Sequence, residues 1–565
     1  MKLKSHINQV MKDAFIKANI EHEPMSVSEA TKAEFGDFQF NGAMALSKKL
    51  GKNPREIAAD IINHLDLTGV LVKAEIAGPG FINLWLNPLW VASQCGEALN
   101  DKRLGVGLRE TPIKVVVDYS GPNMAKQMHV GHLRSTIIGD TLANLLTFLG
   151  DEVIRQNHIG DWGTQFGMLI AYLEMKDEDG SVSLKDLEQF YKDAKSEFDA
   201  DANFANKARE YVVKIQSGDA YCLELWQKFI DISLGHCEEV YEKLDVNLTR
   251  DDVRSESFYN DDLPKVIEDL QTKGTLQESD GAQCVFLEGD EVPVIIQKGD
   301  GGYLYATTDL AALRYRANVL GAKRIAYVVD ARQAGHFKQV FRVAKEAGFV
   351  DEDVTLEHVG FGTMMDKSGK PFKTRDGGTV KLIDLLDEAV IKAKETINDK
   401  EQYSEEEIEA LAKIIGIGAV KYADLSINRE SNYIFNWDKM LSFEGNTSLY
   451  MQYAYARIQS IFRKHDGKVE GDIIIGDALE HRLSTILLRF EDVLNRAAVD
   501  ASPNQITTYL YELVTLFMRF YEQNPILKGG IEEETKMSRL KLADLTAKTI
   551  KQGLDILGIK VVDKL

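Results

Sequence analysis

Apolar positions recur at helical spacing from the start of the chain: Ile7, Val10, Met11, Ala14, Phe15 and Ala18 fall on one face of an amphipathic helix. GDFQFNGAMALSKKLGKNPREIAADI follows, where Asn53-Pro54 marks a break before another helix, and AGPGFINLWL reads as an alternating strand after a Gly-Pro-Gly turn. Residues 1–108 thus predict a small α+β domain. From residue 113 the pattern changes. IKVVVDYS is a buried-strand run; a glycine-containing loop follows, then a long apolar-periodic stretch over 130–149 and a second strand in EVIRQNHIGD. Acidic helices and a short β-rich piece, CVFLEGDEVPVIIQKGDGG, interrupt the alternation over about 170–300, after which RIAYVVD, a helix from 334, and VTLEHVGFG restore it. The reading is a Rossmann-type α/β domain over 109–382, split by an insertion. Beyond it the pattern is almost all helical, including YMQYAYARIQSIFRK and TTYLYELVTLFMRFYEQNPIL, and predicts a helical connector over 383–444 and an all-α C-terminal domain over 445–565.

A chain of 565 residues accommodates these several domains, and 44% hydrophobic with 27% charged residues fits an ordinary globular protein. MKLKSHINQVMKDAF lacks the apolar core of a signal peptide, and no later run is long enough to span a bilayer, so a cytoplasmic protein without membrane contact is expected. Cys95, Cys222, Cys237 and Cys284 are scattered without a C-x-x-C pair, which predicts buried free thiols rather than disulfides or a zinc site. A net charge of −21 opposes a polyanionic ligand at long range. The distribution moderates that objection: the acidic excess gathers in stretches such as 174–202 and 401–410, whereas 367–375 carries Lys367, Lys370, Lys373 and Arg375.

Chemistry concentrates in DYSGPNMAKQMHVGHLRSTIIGD, where His129-Val130-Gly131-His132 lies between a predicted strand and a predicted helix. Glycine at 131 would let a ligand approach the backbone; the helix start offers unpaired N–H groups and a positive dipole end; two imidazoles can donate to phosphate oxygens. These are the parts required for attack on an α-phosphate, where positioning and charge stabilisation supply most of the acceleration. Taken alone, H-x-G-H fits a structural junction as well. A second stretch, FGTMMDKSGKPFKTRDGGTVKL, offers lysines and Arg375 to neutralise β- and γ-phosphates, with Gly377-Gly378 permitting movement, or else is a solvated basic turn.

The flanks DYS-x-PN-x-AK and HLRSTIIGD, with NHIGDWGTQFGML downstream, resemble the arginyl-tRNA synthetase family of class I, and the resemblance runs from GDFQFN to the tyrosine-rich helix near 450. It implies an ATP-dependent ligase that adenylates L-arginine and transfers it to tRNA(Arg), with Mg²⁺ arriving on ATP, no tightly bound cofactor and no zinc. His129, His132, Lys126, Lys373 and Arg375 would carry catalysis, and His129, Gly131, His132, Gly362 and Met364 would hold ATP. The sequence departs from the usual K-M-S-K-S form, because Phe372-Lys373-Thr374-Arg375 places threonine where the second lysine would be; Lys126 could place an ammonium on the same phosphates.

For arginine the resemblance supplies Asp118, Ser120, Asn123, Tyr305, Asp309, Gln333 and His336, with Asp309 and Tyr305 near the guanidinium and Ser120 and Asn123 near the backbone groups. A buried guanidinium requires carboxylates placed for bidentate hydrogen bonds, and Tyr305 and Asp309 are spaced as neighbours on one helical turn. Singly, each reads as a cap or surface residue. Phe81 and Asn83 match positions that touch the tRNA D-loop, an aromatic for stacking and an amide for a base edge. Tyr450, Tyr453 and Arg457 match the anticodon-facing helix, though such a stripe is equally a core-packing pattern. The family commonly ends in a methionine near the anticodon, whereas this chain ends Val561-Val562-Asp563-Lys564-Leu565. A monomer is expected, and activation of arginine is expected to require bound tRNA. Two other readings stay open: a small-molecule adenylyl or cytidylyl transferase using the same histidine loop, and a catalytically silent RNA-binding relative.

Overall fold

The computed structural model describes residues 3–22, 24–176, 187–372, 380–397 and 400–565. The chain forms two compact units, one of residues 109–441 with 556–559, the other of residues 1–108 with 442–555 and 560–565.

The first unit is built on four parallel strands in the spatial order Thr355–His358, Arg324–Tyr327, Lys114–Asp118, Glu152–Gln156. Val116 lies level with Ile325 on one side and Ile154 on the other, and the β-branched run Val115-Val116-Val117 is fully buried, as a parallel strand covered on both faces requires. The chain steps from Lys114–Asp118 to one side, through the helix Val130–Phe148, and returns much later to the other side. That reversal of strand order opens a crevice at the carboxyl ends of Lys114–Asp118 and Arg324–Tyr327. Between the second and third strands lie the helices Thr164–Lys176, Leu187–Ala200, Ala202–Gln216 and Ala220–Leu244 and a three-stranded antiparallel sheet, Leu276–Ser279, Ala282–Val285 and Val294–Gln297. These are the acidic helices and the β-rich piece that break the strand–helix alternation in the sequence. Beyond the sheet, the helices Leu382–Thr396 and Glu405–Leu425 pack against each other.

The second unit joins both ends of the chain. An antiparallel sheet, ordered Ser28–Glu29, Phe38–Phe40, Phe81–Leu86, Leu71–Ala77, carries the helices of the α+β part. One of these, Pro88–Asn100, capped by Asn87 with proline at its first turn, packs on Ala478–Leu488 of the C-terminal helices. Polar ties cross the same seam: His481 Nε2 to Asp37 at 3.0 Å, Arg489 to Glu29 at 2.7 Å, and the Lys4 N–H to Asp492 at 3.0 Å. The α/β, α+β and all-α architectures expected from the sequence are all present. The merging of the two ends into one unit was invisible in local periodicity, because its seam joins residues about 380–490 apart in the chain. All four cysteines are free and buried, and among the described residues no helix is long and apolar enough to cross a membrane.

Candidate active site

His129 is the N-cap of the helix Val130–Phe148, with extended backbone, and it makes a reciprocal pair with His132. The His129 N–H donates to His132 Nδ1 at 3.1 Å, and the Gly131 N–H donates to His129 Nδ1 at 3.0 Å. Further N–H groups of this turn are also taken, Val130 by the carbonyl of Val380 and His132 by that of His129. The expectation of a bare helix end therefore needs correction: the first N–H groups are satisfied within the protein. Both imidazoles use Nδ1 as an acceptor, so the ring protons sit on Nε2; of the two, His132 lines the cleft at the strands' carboxyl ends and His129 does not. Glycine at 131 has a matching reason, since a Cβ there would meet the folded-back His129 ring at 2.7 Å. Burial, reinforced by His129 beside it, lowers the His132 pKa to about 3; burial and then Lys126 lower that of His129. His132 is a neutral hydrogen-bond donor at any working pH.

A cleft of about 540 Å³ opens at the carboxyl ends of the two central strands, and Asp118, Ser120, Asn123, Tyr305, Asp309, Gln333 and His336 all line it, beside Gly131 and His132. Seven positions spread over more than 200 residues thus converge on one cleft. Tyr305 and Asp309 share the helix Tyr305–Arg314, as their spacing predicted. Asp309 is braced by His336 Nε2 at 2.6 Å. Asp118 is committed elsewhere: Arg316, fully buried, reaches its Oδ2 at 2.7 Å and Gln156 Oε1 at 2.6 Å. Asp330, also in the lining, is paired with Arg332 at 2.6 Å, so the negative charge left for a ligand belongs to Asp309 and to Glu256, a cleft residue that the sequence reading missed. Glu256 begins the short 3₁₀ run Glu256–Asp262, and in SESFYND it looks like an ordinary polar loop residue. Burial, then Asp161 and Asp309 nearby, raise its pKa to about 7.

That shift carries a pH dependence. Below pH 7 the Glu256 carboxyl takes up a proton that competes with a cationic ligand, so kcat/KM for such a substrate should fall about tenfold per pH unit. A bound cation pulls the pKa down, so kcat at saturation should keep its value to lower pH. Glu256→Gln should remove the acid limb near pH 7; an unchanged profile in that variant would clear Glu256 of the role.

The remaining candidates are dispersed. Lys126 Nζ stands 5.1 Å above the Tyr191 ring. Gly362 and Met364 do not line the cleft, although their neighbour Phe361 does. The Gly362 N–H donates to the Arg429 carbonyl, a Cβ at 362 would meet the Ser431 carbonyl oxygen at 2.6 Å, and Met364–Met365 pairs in parallel with Tyr433–Ile434. Lys373 and Arg375 lie outside the described residues. In the other unit, Phe81 and Asn83 sit two apart on one strand; Asn83 is buried, its amide oxygen held by Gln39 at 2.7 Å. Tyr450, Tyr453 and Arg457 occupy the half-exposed side of the helix Ser448–Arg463, whose other side is core. Arg457 donates to the Tyr453 hydroxyl at 2.7 Å and lies over the Tyr521 ring.

Residues 94–437, which carry this sheet and cleft, match the family described as tRNA synthetases class I (R), catalytic domain. The fold and the histidine loop are those of a class I aminoacyl-tRNA synthetase. Residues 1–86 match the arginyl tRNA synthetase N terminal domain and residues 451–565 the DALR anticodon binding domain. An arginine–tRNA ligase of Cellvibrio japonicus (strain Ueda107) is 54% identical over 579 aligned positions, covering 100% of both chains, and one of Klebsiella pneumoniae subsp. pneumoniae is 50% identical, again over 100% of both. The crystal structure of arginyl-tRNA synthetase from Plasmodium falciparum superposes with a TM-score of 0.88 at 31% identity, covering 100% of each chain. The chain belongs to the arginyl-tRNA synthetase family.

Proposed function

We propose that this protein is an arginine–tRNA ligase: it activates L-arginine with ATP to arginyl-adenylate and transfers the arginyl group to the 3′-terminal ribose of tRNA(Arg), releasing AMP and pyrophosphate, for protein synthesis. The observation that carries the reading is the acidic pair Glu256 and Asp309 in the same cleft as Ser120, Asn123 and His132. A guanidinium placed between two carboxylates satisfies its donors in fork geometry. The substrate carboxylate then lies toward Ser120 and Asn123, at the end of the cleft where His132 presents its Nε2 proton.

Attack of that carboxylate on the α-phosphorus forms the mixed anhydride and expels pyrophosphate. His129 and His132 stabilise the charge on the phosphorane, donating through Nε2 without giving up a proton. Lys126, Lys373 and Arg375 hold the departing pyrophosphate, and Gly362 and Met364 belong to the nucleotide side. Mg²⁺ enters as part of the ATP substrate and keeps most of its waters. The ribose hydroxyl of tRNA then attacks the anhydride carbonyl and AMP leaves. Residues 109–382 perform this chemistry, 383–444 connect, residues 1–108 meet the tRNA elbow through Phe81 and Asn83, and 445–565 meet the anticodon through Tyr450, Tyr453 and Arg457. A recess of about 580 Å³ lined by Arg457, Lys464, Tyr521 and Lys528, with Glu522 beside them, supports the assignment of Arg457, pairing cations with an aromatic ring as unstacked RNA requires; Tyr450 and Tyr453 do not line it. The protein works in the cytoplasm as a monomer.

The test is charging of unfractionated tRNA with ATP, Mg²⁺ and each labelled amino acid in turn, together with ATP–pyrophosphate exchange. Acid-precipitable label with arginine alone, and exchange only when arginine and tRNA are both present, are the expected results. Exchange without tRNA would favour a small-molecule nucleotidylyl transferase, and tRNA binding with no turnover a silent relative.

A further inference from the structure

Two of the seven non-glycine residues with positive φ among the described residues lie in the loop that enters the cleft: Ser120 at +72° and Ala125 at +68°. Neither side chain favours that region, and backbone held there persists only where surrounding contacts over-determine it. Glycine would adopt φ +72° at 120 without strain, so a serine there points to use of the hydroxyl, and Ser120 is buried and lines the cleft.

One helix supplies the restraint at both positions. Ala220–Leu244 places Tyr241 OH 2.8 Å from Ser120 Oγ, and its Ser233 Oγ accepts the Ala125 N–H at 2.9 Å. The direction of the first bond follows from its neighbours. The Gly121 N–H can only donate, so the Asn157 oxygen faces it, at 3.0 Å, and the Asn157 amide NH₂ therefore faces Tyr241, at 2.9 Å. Tyr241 OH thus accepts from Asn157 and gives its own proton to Ser120 Oγ; the Ser120 proton rests on Thr136 Oγ1 at 3.1 Å, whose own proton goes to the His132 carbonyl at 2.8 Å, and a substrate carboxylate is the stronger acceptor to which it would turn. The Ser120 N–H is fixed separately by Ser135 Oγ at 2.9 Å. The far end of the helix is anchored in turn: buried Lys421 donates to the Leu244 carbonyl at 2.8 Å and to that of Asp245 at 3.3 Å.

We propose that the helix Ala220–Leu244 is a strut that holds the amino-acid loop in its strained form, with Tyr241 a positioning residue that aims the Ser120 hydroxyl at the carboxylate of arginine. The proposal rests on the adenylation reading above and adds to it the residue that presets one substrate contact. Without the Tyr241 hydroxyl, Ser120 loses one of the partners that offset its backbone strain, beside Ser135 and Thr136, and the loop relaxes away from the substrate geometry.

The experiment measures tRNA-dependent pyrophosphate exchange for the full chain, for Tyr241→Phe, for Ser120→Gly and for the double variant. Loss of one positioning hydrogen bond should lower kcat/KM for arginine about tenfold, carried by the arginine KM, with the ATP KM within about twofold of the unsubstituted chain. In the Ser120→Gly background, where no strain remains to offset and no hydroxyl to aim, the same tyrosine substitution should cost less than about threefold. Equal losses in both backgrounds, or an ATP KM that rises together with the arginine KM, would overturn the proposal and reduce Tyr241 to a general packing role. Should Tyr241→Phe not fold, Ser233→Ala releases the strut at its other contact, with the same KM split expected and an unchanged arginine KM counting against it. Absence of arginine-dependent exchange in the unsubstituted chain would instead sink the adenylation reading, so the two failures are told apart.

Discussion

His132→Ala is expected to lower kcat for arginine activation by about 10²–10³-fold, the usual cost of removing one donor aimed at charge that develops in the transition state. The arginine KM should change little if, as proposed, the imidazole meets the phosphate rather than the guanidinium. The same side chain also accepts the His129 N–H, and losing that cap costs about 1 kcal/mol of stability, which shows in the unfolding midpoint and not in kcat. The ring is held neutral down to about pH 3, so kcat of the unsubstituted protein should show no ionisation from His132 between pH 5 and 9. Single-turnover measurement of adenylate formation separates the chemical step from product release. A loss of less than about fivefold there would assign the ring to capping alone.

Arg316→Met should destabilise the catalytic unit by about 3–5 kcal/mol, because it leaves the Asp118 carboxylate buried without its cation. Arg316 is fully enclosed and only 8% of the Asp118 side chain is exposed at the cleft, so water compensates little. The Gln156 amide oxygen is orphaned in the same step. A loss of this size is a large share of the ~5–15 kcal/mol that holds an ordinary domain together. The companion variant Asp118→Asn with Arg316→Met removes the bare charge and should recover part of the loss. Urea unfolding followed through Trp162 and Trp226, which pack edge to face in this unit, reads both. An Arg316→Met protein as stable as its parent would mean that solvent or another group compensates Asp118 in place of the guanidinium.

What the sequence revealed and what it hid divide along the range of the interaction. The strand Lys114–Asp118 and the helix Val130–Phe148 were legible because their signals, a β-branched run and a repeat at helical spacing, lie within a few residues. The histidine loop was legible from its place between them. Its capping pair was not, although S/T-x-x-E boxes are familiar, because histidine is an unusual member of such a box. Arg316 stands 198 residues from Asp118 and 160 from Gln156, and it sits in a short π-helical turn that no periodicity announces. Glu256 lay in a polar segment without pattern. Tyr241 had the spacing of a core tyrosine, and only three dimensions show where its hydroxyl points. Asp118 was found by position, but its engagement with Arg316, which leaves Glu256 and Asp309 to supply the charge, needed the fold.

The seam between Pro88–Asn100 and Ala478–Leu488 has a consequence for synthesis on the ribosome. The first 108 residues emerge early, yet the helices that cover them come last, after the roughly 330 residues of 109–441. Leu488 is reached only about 380 residues later, so at ~5–20 residues per second the nascent amino-terminal part waits about 20–75 s with its seam surface uncovered. Throughout that interval it is a natural client for chaperones that shield apolar surface, and a stalled or truncated message would release it as a fragment without its cover.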